Sequence, residues 1–132
     1  MDIMIVKMIK NFLIINCIGN DDKLGLRINK DFFIHNFKNK NDKEKLTLEI
    51  FEFLKIHNVV LDENFSVIVN RGPGSFSGIR ISISVAKGLK ISKKVKLYGF
   101  KNSDLDKFNL KNIDKLLNKN LIEKKLIKPI YL

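Results

Sequence analysis

Apolar and polar positions break the chain into short runs separated by turn-forming residues. Phe12-Leu13-Ile14-Ile15 is apolar throughout and ends on Gly19-Asn20-Asp21-Asp22, which gives it strand length and strand punctuation. Leu24-Gly25-Leu26-Arg27-Ile28 alternates as a half-buried strand does, and Asn29-Lys30-Asp31 turns it into Phe32-Phe33-Ile34-His35-Asn36-Phe37. Three strands joined by polar turns predict an antiparallel meander. Residues 38–43 are polar, and Asp42 is the predicted cap of a helix on which Leu46, Ile50, Phe53 and Leu54 share one face. Leu48 and Phe51 fall nearly opposite. A helix lying on a sheet needs one apolar face, so this second stripe wants a partner.

Phe65-Ser66-Val67-Ile68-Val69 reads as a buried β-branched strand that delivers the chain to Arg71-Gly72-Pro73-Gly74-Ser75-Phe76-Ser77-Gly78-Ile79-Arg80. Beyond that turn, Ile79, Ile81, Ile83 and Val85 alternate with Arg80, Ser82 and Ser84, which is a strand pattern. The same residues also make two helical stripes, Ile79/Ile83/Ala86 and Ile81/Val85/Leu89, with Ser75 or Ser77 as cap. Periodicity alone leaves both open. Val95 to Phe100 is a final short strand, and Asp104 to Lys125 is a lysine-rich helical segment. The order βββαβαβ predicts an α/β fold with a mixed five-stranded sheet and a short C-terminal helical tail. Residues 1–10 form a lead-in of open standing, 11–103 the body, and 104–132 the tail.

Composition narrows the function classes. The length of 132 residues and the 45% hydrophobic content suit one domain with its own core. A single cysteine, Cys17, excludes an intramolecular disulfide and any multi-cysteine metal site, which fits a reducing compartment. The most apolar stretch, Ile3 to Ile18, is cut by Lys7, Lys10 and Asn11, too soon for a membrane span, and it lacks a signal peptide's charged start and cleavage site. A cytoplasmic chain without membrane association is expected. The net charge of +11 invites RNA, but only three of the 25 basic residues are arginine and the lysines run along the whole length. An incidental basic surface is the primary reading and RNA contact the secondary one.

A glycine-rich turn before a helix presents backbone N–H groups to an anion, and Arg80 in the first helical turn adds a bidentate grip. No Gly-Lys-Ser/Thr follows, so this is not a P-loop, and the third glycine is one residue too far for the dinucleotide fingerprint. Glycine also serves tight turns and close helix–sheet contact without any ligand. Ser75 and Ser77 lack the nucleophile elbow, and His35 and His57 lack a second ligand at metal-binding spacing, so no catalytic or metal-ligating residue is assigned.

The run from Val69-Asn70-Arg71 through Ala86-Lys87-Gly88-Leu89 closely resembles the signature of the TsaB family, the small non-catalytic subunits of the bacterial tRNA threonylcarbamoyladenosine-modifying complex. That resemblance implies an actin-like, RNase H-like lobe, makes residues 77–90 a helix, and makes Pro129-Ile130-Tyr131-Leu132 the family's C-terminal strand. Three departures stand out. Asn16-Cys17-Ile18 replaces the usual Asp-Thr-Ser turn, Asp42-Lys43-Glu44 replaces His-Ser-Glu, and residues 104–132 are only a remnant of the family's second lobe.

By the same resemblance the chain is a non-catalytic partner subunit. It would dock helix-to-helix on the catalytic paralogue, which would carry the ATP and metal, and this chain itself would hold no cofactor. The complex's accessory ATPase is a further expected partner, tRNA is reached indirectly, and the chain pairs with itself when alone. The implied site has a signature loop of Arg71, Gly72, Pro73, Gly74, Ser75, Phe76, Ser77, Gly78 and Arg80. Its partner-binding face is Leu48, Phe51, Ile81, Val85 and Leu89. Two alternatives compete: a small nucleotide- or anion-binding protein using the Gly72–Arg80 loop, and a tail that covers the apolar face instead of a partner. A peptidase has no catalytic constellation here.

Overall fold

The computed structural model describes residues 9–37, 44–119, 122–124 and 127–130. Its sheet grows outward from β1 (Asn11–Asn16), in which Phe12 to Ile15 are all buried. β2 (Lys23–Ile28) and β3 (Asp31–Asn36) continue as an antiparallel meander. Asn29 and Lys30 between them have φ of 50° and 76°, the backbone of a two-residue hairpin whose twist matches its strands. α1 (Glu44–Ile56) carries the chain back, so β4 (Phe65–Asn70) lies parallel to β1 on its other side. α2 (Phe76–Lys93) then leads to β5 (Lys96–Phe100), parallel to β4. A 3-10 turn (Asn102–Asp104) and α3 (Leu110–Asn118) lead to β6 (Ile122–Glu123), antiparallel to β5. The strand order is β3-β2-β1-β4-β5-β6.

The predicted order of the first seven elements holds, and β6 makes the sheet six-stranded rather than five-stranded. Two residues carry no periodic signal, so such a strand is invisible in sequence. The C-terminal strand was expected at Pro129-Ile130-Tyr131-Leu132, seven residues beyond the start of β6. Residues 129 and 130 are not strand, and residues 131 and 132 lie outside the described residues. The predicted cap Asp42 and the lead-in residues 1–8 lie outside them too, whereas Ile9 is buried in the core. Among the described residues of the predicted helix from Asp104 to Lys125, only Leu110–Asn118 is α-helical.

Alternate strand residues serve two separate cores. Leu13, Ile15, Val67, Val69 and Leu97 pack with α1 and α2, while Phe12, Ile14, Ile68, Tyr98 and Phe100 pack with Ile113, Leu116 and Leu117 of α3. A strand covered on both faces has to be apolar at every position, which is why Phe12 to Ile15 shows no alternation. The strand-or-helix ambiguity after the glycine turn resolves as helix. Ile79, Ile83, Ala86 and Leu89 are buried at helical spacing, and Lys94 at φ 62° closes the helix by donating to Lys90 O at 3.1 Å. The tail helix therefore roofs the face of the sheet opposite α1 and α2. Among the described tail residues, only Ile127 joins the core beneath those two helices.

Candidate functional site

β4 ends on Asn70, whose side chain is buried and fully employed. Its Nδ2 donates to Asn16 Oδ1 at 2.7 Å and Asn102 Oδ1 at 3.0 Å, and its Oδ1 accepts from Gly72 N at 2.8 Å. One amide thus ties the end of β1, the signature loop and the turn after β5. Arg71 fastens the loop to the tail: its Nε donates to Lys128 O at 2.9 Å, and its own carbonyl accepts from Ile130 N at 2.7 Å. Gly72 follows at φ +97°, where a Cβ would sit 2.9 Å from the Ile130 carbonyl oxygen, and the Gly72-Pro73 bond is cis.

The loop spends its N–H groups on the chain itself. Ser75 N donates to Ile18 O at 2.6 Å, Ile79 N donates to Ser75 O at 3.0 Å, and Gly78 N donates to Ser75 Oγ at 3.4 Å. Ser75 rather than Ser77 is therefore the helix cap. With Gly72 N held by Asn70, four loop donors an anion would need already have acceptors. Arg80 turns to the Phe76 ring. Its guanidinium lies 5.0 Å from the Phe76 ring centroid, a cation–π contact on the helix surface.

The apolar face beside this loop is exposed. Leu48 and Phe51 on α1 are 56% and 44% exposed, Phe76 is 55% exposed, and Ile81 and Val85 on α2 are half-buried. Thr47, Phe76, Arg80, Ile81, Ser84 and Val85 line a groove of about 410 Å³ between the two helices. Leu89 does not belong to this face. It is buried against the sheet, because two helical turns beyond Ile81 the 100° step per residue has rotated it inward. Phe76 takes its place in the apolar set. Read with the loop in sequence, Phe76 stands just after the cap, where an outward aromatic carries no periodic mark.

Both histidines are engaged by neighbouring side chains. His35 Nε2 lies 3.2 Å from Glu49 Oε2, and His57 stacks on Phe33 with centroids 4.2 Å apart and edges onto Phe53. Among the described residues no three His, Cys, Asp or Glu side chains gather as a metal site, and no helix is long and apolar enough to cross a membrane.

Residues 36–104, just over half of the chain, match the TsaD family, described as tRNA N6-adenosine threonylcarbamoyltransferase. The chain belongs to that family. Its resemblance to TsaB is shown by two curated relatives, both named tRNA threonylcarbamoyladenosine biosynthesis protein TsaB. The one from Buchnera aphidicola subsp. Baizongia pistaciae (strain Bp) is 45% identical over 42 residues, 32% of this chain and 19% of the relative. The other, from Buchnera aphidicola subsp. Schizaphis graminum (strain Sg), is 36% identical over 64 residues, 46% of this chain and 30% of the relative. The TsaB-like chain thus spans less than a third of the curated relatives it matches. Two solved structures share its fold. YeaZ from Pseudomonas aeruginosa matches with a TM-score of 0.63 at 20% identity, over 72% of this chain and 46% of its own. A protein from Pseudomonas aeruginosa described as uncharacterized, with similarity to peptidase YEAZ, matches with a TM-score of 0.61 at 20% identity, over 70% and 44%.

Proposed function

We propose that this TsaB-like chain is a non-catalytic subunit in threonylcarbamoyladenosine biosynthesis on tRNA, docking through the outer face of α1 and α2 on the catalytic paralogue. The observation that carries this reading is the apolar face itself. Leu48, Phe51 and Phe76 stand out from it, Ile81 and Val85 line its groove, and the tail helix packs on the other side of the sheet. Covering apolar surface gains roughly 25 cal/mol per Å², so a few such side chains at the centre of a contact can anchor it.

The signature loop supports this face rather than acting as a site. Asn70, Arg71 and Ser75 hold it to β1, β5 and the tail, which fixes where α2 begins and so how Phe76 and Ile81 are presented. On this reading ATP and metal belong to the catalytic partner, tRNA is held mainly by the assembled complex, and the work is done in the cytoplasm. Without its partner the chain uses the same face to pair with itself, and the accessory ATPase joins the assembled pair. Co-purification with the catalytic paralogue tests the reading. The wild-type chain is expected to be retained, and Phe51→Asp and Ile81→Asp variants with unchanged circular dichroism are expected to be lost. Retention of both folded variants contradicts the docking face.

A further inference from the structure

A second cleft opens on the opposite side of the sheet, at the start of β1 where the β2–β3 hairpin meets α3. Its volume is about 500 Å³, and Lys10, Arg27 and Lys30 converge on it. Ile9, Phe12 and Leu117 form its apolar floor. Arg27 pairs across the sheet with Phe12, a side chain of the α3-side core, so its own side chain stands on that side. Asn11, also in the lining, accepts from Asn29 N at 3.2 Å through Oδ1, which fixes its amide at the rim. The only carboxylate in the lining is Asp114, and among the described residues none of the three cations forms an ion pair with it.

We infer that this cleft binds the sugar–phosphate backbone of an RNA strand. Three cations gathered on one concavity against the single carboxylate of Asp114 form a focus of positive potential. A guanidinium and two ammonium groups match phosphate oxygens, with arginine supplying the planar fork. An apolar floor beneath them takes a ribose or base face, as single-strand sites do. A membrane surface is flat and does not enter a concave cleft. Lys111 and Lys115 of α3 and Lys119 at its C-cap are all exposed and continue the positive field beyond Asp114. The site does not rest on the docking reading, because α1 and α2 lie on the other face of the sheet. A subunit docked there leaves the cleft open.

Fluorescence anisotropy of a short labelled RNA stem-loop, titrated with the full chain over a salt series, tests this. Lys10→Glu/Lys30→Glu is expected to weaken binding about tenfold or more and to flatten the salt slope by roughly 0.7–0.9 per lost phosphate contact. Arg27→Gln is a milder variant on the strand itself and is expected to weaken binding several-fold. Asp114→Asn is expected to tighten binding, a gain that misfolding cannot produce. Lys93→Glu/Lys94→Glu at the end of α2 makes the same charge change at two exposed lysines elsewhere and is expected to leave affinity within about twofold of wild type. Equal loss in both charge-reversal variants means bulk charge alone and overturns the site. So does the absence of RNA binding at low salt.

Discussion

Asn70 Nδ2 and Asn16 Oδ1 meet at 2.7 Å across 54 positions of sequence. The contact joins the C-terminal ends of two parallel strands where the signature loop departs. Asn70 is 1% exposed and its bond to Gly72 N is buried, while Asn16 and Asn102 are partly buried. Asn70→Ala leaves the Gly72 N–H and two amide oxygens without their acceptor and donor, and is expected to cost about 1–3 kcal/mol. Urea unfolding reads this as a lower midpoint with an unchanged slope. An unchanged midpoint contradicts the role given to Asn70.

Two glycines of the signature stretch are expected to respond oppositely to alanine. A Cβ at Gly74 would sit 2.7 Å from both the carbonyl oxygen and the Cβ of Ile18, so backbone must move, at about 1–3 kcal/mol. A Cβ at Gly88 meets nothing within 4 Å inside an exposed turn of α2, so alanine there is expected to stabilise by about 0.8–1 kcal/mol. Thermal melts of Gly74→Ala and Gly88→Ala should therefore shift in opposite directions. A fall in both would mean that Gly88 is held by a contact within the chain.

Much of this was legible from the residues. The meander is announced by Gly19-Asn20 and Asn29-Lys30 between apolar runs, and the loop by Gly72, Gly74 and Gly78. α2 was not legible by period, because its inner stripe packs on the sheet while Ile81 and Val85 face the groove beside α1, so two apolar stripes overlay into apparent alternation. Leu89 was misplaced for a related reason, since a stripe followed past two turns runs off the face on which it started. β6 is too short to have a pattern. The convergence of Lys10, Arg27 and Lys30 depends on a hairpin folding back over β1, which spacing along the chain does not encode.

Tyr98 supplies a prediction at alkaline pH. Burial pushes its phenol above the ordinary tyrosine value of 10.0. The neutral form is the one the fold favours, so the associated stability is complete below about pH 10 and is lost as pH rises through the folded value. Absorbance titration of a Tyr131→Phe variant isolates Tyr98. Ionisation is expected only above the ordinary value, moving down to it in urea. A native titration at or below that value contradicts the burial.

The central claim concerns which apolar surface matters, and one matched pair tests it. Phe51 and Ile34 are almost equally exposed, at 44% and 45%, but Phe51 is on the outer side of α1 and Ile34 is on the edge strand β3. The measurement is the dissociation constant for the catalytic paralogue, by titration calorimetry on folded variants. Phe51→Asp is expected to weaken binding at least tenfold, about 1.4 kcal/mol, while Ile34→Asp leaves it within about twofold of wild type. Equal losses in the two variants, or none in Phe51→Asp, would contradict the account.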